Sequence, residues 1–168
     1  MADISTTLIH HPYVPPDGFE APQPGVFKAS TVFFPTVAAM RQRDWQDRSA
    51  FTYGLHGTPT TYLLEQRLCS PEGGTHRVLL HSGLAALALV ALALLKAGDE
   101  VLLPDNAYSN NKPLFDAEFK DWGITYQIYD PMDAADLKAK ITARTRLVWL
   151  EAAGSVTLEF PDLVAMVQ

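Results

Sequence analysis

Arg77-Val78-Leu79-Leu80-His81-Ser82-Gly83-Leu84-Ala85-Ala86, running on through an Ala/Leu-rich segment into Lys96-Ala97-Gly98-Asp99-Glu100-Val101-Leu102-Leu103-Pro104, sets the architecture of this chain. Residues 77–80 form a short apolar run suited to a buried strand. Residues 83–96 have the length and composition of a helix, and Gly98 stops it. Residues 100–103 are a second buried strand, ended by Pro104. Downstream, Leu114, Phe115, Phe119 and Trp122 keep helical spacing over 112–122, which Gly123 closes. A third strand is expected over 124–129, a short helix over 134–141 and a fourth strand over 146–150. Strands alternating with helices predict an α/β fold with a parallel sheet covered on both faces.

The two ends read differently. Pro12, Pro15, Pro16, Pro22, Pro24 and Pro35 crowd the first 35 residues. Proline lacks a backbone donor and fixes φ, so an extended arm is expected there rather than a packed element. Residues 1–50 are accordingly read as an arm with a short helix, and 51–168 as the first part of a larger domain. Asp162 stands near the start of a last helix that is apolar and stops after about two turns. The chain is therefore expected to be cut inside that larger domain.

Composition narrows the function. Hydrophobic residues make up 48% and charged residues 19%, which argues against global disorder. The net charge of −6 argues against a broad nucleic-acid footprint, since Arg41, Arg43 and Arg48 are offset by Asp44 and Asp47. Cys69 is the only cysteine, so neither an internal disulfide nor a cysteine-based zinc cluster can form, and no metal is expected. The N-terminus lacks the pattern of a signal peptide, and the apolar stretch 84–95 is far shorter than the ~20 residues of a membrane span. A cytoplasmic protein without membrane or nucleic-acid partners is expected.

Four segments could carry chemistry. Ser82 can cap the helix that follows it, Gly83 lets a ligand approach the backbone closely, and the free amides there favour an anion. An ordinary βα loop with a serine cap would look the same. The loop Tyr53-Gly54-Leu55-His56-Gly57-Thr58-Pro59-Thr60 offers a tyrosine hydroxyl, with Thr60 or Thr61 capping the helix behind it. There Tyr53 could equally just cover the core, and His56 face solvent. Tyr108, after the second strand, can stack on a flat heteroaromatic ring, or lie on the surface. Glu151-Ala152-Ala153-Gly154-Ser155 follows the fourth strand. All but the Tyr53 loop directly follow strands of one sheet, where open parallel sheets gather ligands.

Taken in order, these segments resemble the Cys/Met-metabolism (transsulfuration) family of fold-type I, aspartate-aminotransferase-like, pyridoxal-phosphate enzymes. The match also includes Ala29 to Thr36, Lys96 to Pro104, and Arg144 through Glu159. Within the family, 151–159 is most similar to cystathionine β-lyases, although Ala153 stands where proline is usual. The resemblance implies a three-layer domain and the cofactor pyridoxal 5'-phosphate. It implies amides of Ser82, Gly83 and Leu84 around the phosphate, and Tyr108 stacked on the ring with a catalytic part in proton handling. Ser155 is implied near the cofactor's phenolic oxygen. Tyr53 would reach the phosphate of a neighbouring subunit in a homotetramer. The family's usual arginine beside that tyrosine is Leu55 here, which cannot donate. The family's cofactor-linking lysine, ring-nitrogen aspartate and carboxylate-binding arginine have no match in 1–168, so these residues alone are expected to be inactive. The activity implied is β-elimination of cystathionine, a sulfur amino acid, to homocysteine, pyruvate and ammonia in methionine biosynthesis. Alternatives are another transsulfuration reaction (γ-lyase, γ-synthase or sulfhydrylase), a non-catalytic binding or assembly module, and, most remotely, a nucleotide-binding domain.

Overall fold

The computed structural model describes residues 3–9, 17–18, 23–47 and 50–168. Pro12, Pro15, Pro16, Pro22 and Arg48 lie outside them. The chain divides into two compact units, Met1–Leu79 and Leu80–Gln168.

The second unit is built around three parallel strands, β1 (Glu100–Pro104), β2 (Thr125–Tyr129) and β3 (Thr145–Val148), in the order β2-β1-β3. β1 is buried along its whole length because it lies between two neighbours and its faces pack on different layers. Val101 and Leu103 meet Ala91 and Leu95 of the helical segment before the strand, with Phe115, Phe119 and Ile124. Leu102 turns to the other face and meets Tyr129 and Leu137. The period-2 alternation of one strand thus serves two apolar layers, as a sheet covered on both sides requires. The helices are α4 (Gly83–Leu94), α5 (Asn111–Leu114), α6 (Ala134–Lys140) and α7 (Leu163–Val167). This is the expected α/β architecture.

At the outer end of β1, Glu100 is 2% exposed and carries the one carboxylate of the strand. Burial by itself would raise it. Hydrogen bonds from Gln127, Thr142 and Thr145, with the charge of Arg144, hold it below its ordinary value. The Arg144 Nη2 contact is 3.1 Å and the Thr142 Oγ1 contact 2.9 Å. Between Glu100 and Val101 the pairing with β3 jumps from Thr145 to Leu147, leaving Arg146 as a bulge residue.

Two expectations fail locally. Residues 77–80 pair with no strand among the described residues, and Val78 and Leu80 are 59% and 39% exposed. An apolar run becomes a strand only when another backbone lies beside it. The helix expected over 112–122 is composite: α5, then a π-helical turn at Phe115–Phe119, then a 3-10 turn at Lys120–Trp122. Phe115 and Phe119, four residues apart and so on one face, both enter the core with ring centroids 4.9 Å apart. The proline-free residues Ile4–Ile9 form the helix α1, which packs against the helix over Pro59–Glu72.

The first unit also contains α2 (Val37–Arg41) and α3 (Pro59–Glu72). The cap of α3 is Thr58, whose N–H donates to Thr61 Oγ1 at 2.6 Å. Thr60 does not cap. Its hydroxyl accepts the Phe27 N–H at 2.7 Å and donates to Gly25 O at 3.1 Å, tying the chain at 25–27 to α3. No helix among the described residues is long and apolar enough to cross a membrane.

Candidate active site

The carboxyl ends of β1 and β3 and the N-terminus of α4 converge on one cleft in the second unit. Its volume is about 550 Å³, and Ser82, Gly83, Leu84, Tyr108, Trp149 and Glu151 line it. Ser82 has extended dihedrals (φ −158°, ψ 159°), and its Oγ accepts the Ala85 N–H at 3.1 Å. Helix geometry leaves the amides of Gly83 and Leu84 without an intrahelical acceptor, at the positive end of the helix dipole. A Cβ added to Gly83 would meet no atom within 4 Å. Among the described residues nothing fills the space beside Gly83, which leaves the backbone there open to close approach by an anion.

Tyr108 stands across from this helix end, on the turn that follows β1. Ala107 N–H donates to Pro104 O at 3.1 Å, and Asn111 N–H to Tyr108 O at 2.8 Å. The Tyr108 N–H reaches both oxygens of the Glu151 carboxylate, at 2.9 and 3.2 Å. Its phenolic oxygen accepts from Asn110 Nδ2 at 2.8 Å, and the residue is 39% exposed. The residue is thus held at its backbone and its tip where it lines the cleft.

Beneath the cleft, the Tyr129 hydroxyl donates to Trp149 O at 2.7 Å. Burial, and then the charge of Glu151, push this phenol up to about 12. It stays protonated and keeps the Trp149–Glu151 segment in place.

Of the residues singled out from sequence, Ser82, Gly83, Leu84 and Tyr108 come together here. Ser155 belongs to the same unit but is not among the residues lining the cleft. Its N–H donates to Asn106 O at 3.0 Å. Tyr53 belongs to the first unit. The hydrogen bond from His56 N–H to Tyr53 O (2.9 Å) closes a turn there and sets the two rings edge to face, 5.3 Å apart. Leu55, within that turn, is 72% exposed. Trp149 and the grip of Glu151 on Tyr108 were not foreseen from sequence. Trp149 fell inside the strand expected over 146–150, and the signal for Glu151 was its position just after it.

The donor set fits a phosphate monoester carried on a flat ring: backbone amides at a helix N-terminus for the anion, and an anchored tyrosine for the ring. No lysine lines the cleft, and Lys112 Nζ is turned to Asp105 O at 2.6 Å.

Comparison with known proteins gives the same direction. The family model described as Cys/Met metabolism PLP-dependent enzyme matches residues 5–168. Cystathionine beta-lyase of Bordetella avium is 36% identical over 167 residues, covering 95% of this chain and 42% of that protein. Cystathionine gamma-synthase of Mycobacterium tuberculosis is 32% identical over 167 residues, covering 98% of this chain and 40% of that one. The crystal structure of metB from Corynebacterium glutamicum superposes with a TM-score of 0.83 at 28% identity, covering 98% of this chain and 41% of that chain. The chain spans about two fifths of the length of the curated relatives it matches.

Proposed function

The chain belongs to the family of Cys/Met metabolism PLP-dependent enzymes, and on that premise we propose that it supplies the phosphate- and ring-binding part of a cystathionine β-lyase. The observation that carries this reading is the open helix end: a Cβ at Gly83 would touch nothing, and the anchored Tyr108 shares its cleft. When bound, pyridoxal 5'-phosphate supplies an electron sink for bond breaking at the substrate's α-carbon. The amides of Ser82, Gly83 and Leu84 hold the phosphate. The Tyr108 ring lies against the pyridine, and its hydroxyl, oriented by Asn110, is placed to hand a proton to a departing sulfur. Tyr53 reaches the phosphate held by a second copy in a homotetramer, with Leu55 giving no cation beside it.

The β-lyase over the γ-synthase reading is supported by the segment from Glu151 to Glu159, whose Gly154-Ser155 is similar to β-lyases. Product analysis decides between them. The protein as expressed from its gene is expected to convert cystathionine to homocysteine, pyruvate and ammonia. Cysteine and 2-oxobutyrate from cystathionine would assign γ-elimination instead, and formation of cystathionine from cysteine and an activated homoserine ester would assign γ-synthesis. A polypeptide of residues 1–168 alone is expected to release no pyruvate, because none of its lysines lines the cleft. Release at the rate of the expressed protein would refute that.

A further inference from the structure

The segment after β3 does more than border the cleft. It is tied at both ends to the turn that carries Tyr108. At one end, Glu151 takes the Tyr108 N–H. At the other, Asn106 Nδ2 donates to Glu159 Oε2 at 3.0 Å, and Asn106 O accepts the Ser155 N–H at 3.0 Å. Gly154 closes the loop on itself, donating its N–H to Glu159 O at 2.8 Å and accepting the Leu158 N–H at 3.0 Å.

Asn106 is 7% exposed, and its Oδ1 is buried without a hydrogen-bond partner. Only one orientation of the amide is tolerable, because the flipped one would press Oδ1 against the Glu159 carboxylate. Glu159 therefore decides how Asn106 sits. Gly154 is packed so closely on Asn106 that a Cβ there would fall 2.2 Å from Nδ2. Val156 (φ 66°) and Leu158 (φ 57°) occupy left-handed backbone, a conformation that side-chain-bearing residues rarely adopt. A loop shaped this way persists because its surroundings hold it.

We propose that Asn106 and Glu159 are positioning residues, which with Glu151 clasp the turn after β1 to the loop after β3 and thereby fix the Tyr108 ring over the N-terminus of α4. This rests on the reading that Tyr108 lies against the cofactor ring. The clasp itself is tested independently of that reading.

The test uses the protein as expressed from its gene, with Asn106→Ala, Glu159→Ala and Glu159→Gln, and two readouts. The first is amide hydrogen exchange. Losing the clasp is expected to speed exchange at the Tyr108 amide by about tenfold or more in Asn106→Ala and Glu159→Ala, while Leu102 and Leu103 keep their protection. Glu159→Gln retains an acceptor oxygen and is expected to restore protection, which a general loss of folding would not allow. The second is affinity for two probes. Binding of pyridoxal 5'-phosphate is expected to weaken about threefold to tenfold in the alanine variants as the ring contact loosens. Binding of inorganic phosphate, held by backbone amides, should stay unchanged. Unaltered exchange at Tyr108 overturns the clasp, whether or not cofactor binds. Faster exchange with unaltered pyridoxal 5'-phosphate affinity overturns the positioning role. A wild-type protein with a protected Tyr108 amide that takes up neither probe contradicts the cofactor reading and leaves the clasp standing.

Discussion

Replacing Gly83 by alanine should move stability and ligand affinity in opposite directions. The added methyl group meets no atom within 4 Å, and Gly83 is not among the glycines with positive φ. Alanine is therefore tolerated by the folded state, and it restricts the unfolded chain, a gain of about 0.4–1 kcal/mol. For a chain of this size, that corresponds to a rise in Tm of about 1–4 °C. The same methyl group fills the space in which an anion would approach the α4 amides. Loss of one charge-assisted hydrogen bond costs about 1.5–3 kcal/mol, or roughly tenfold to a hundredfold in affinity. Thermal unfolding without ligand measures the first effect, and calorimetric titration with pyridoxal 5'-phosphate the second. A lower Tm would show that the space ahead of α4 is needed by the protein itself. Affinity within about twofold of wild type would refute the placement of the phosphate there.

Three further outcomes are expected. Leu55→Arg restores a cation beside Tyr53 and should tighten pyridoxal 5'-phosphate binding by about tenfold or more, with Leu55→Gln as the uncharged control in the same titration. Tyr129→Phe leaves Trp149 O without its buried donor and should cost about 1–3 kcal/mol in urea unfolding. It should also remove the phenol that titrates at about 12 in ultraviolet absorbance. The Glu100 carboxyl is held below its ordinary value in the folded state, so its contribution is complete above the unfolded value of 4.5 and is lost as pH falls through the lower folded one. Glu100→Gln should be less stable than wild type at neutral pH, with a flatter dependence of the urea midpoint below about pH 4.5. An equally steep dependence would exclude Glu100 as its source.

The α/β architecture and half of the cleft could be read along the chain, because both depend on signals within a turn or two of residues. Glu100 to Pro104 is apolar enough to be central, and Ser82-Gly83 announces a capped helix with an open end. Leu114 to Trp122 shows where that reach stops: the spacing is helical, yet the segment folds as a short α-helix, a π turn and a 3-10 turn, a change of winding that spacing does not encode. Residues 77–80 show the same limit from the other side, since being a strand is a relation to a second backbone.

The remainder belongs to the fold. The order β2-β1-β3 brings the end of β3 beside the end of β1, so that Glu151 meets a Tyr108 amide 43 residues earlier and Glu159 meets an Asn106 that is 53 residues away. Neither carboxylate is distinguishable in sequence from a solvated surface charge. Composition and periodicity act through neighbours a few residues apart and determine which elements form. Which side chain another side chain faces is settled by the topology that packs those elements, and the Tyr108 cleft is a product of that packing.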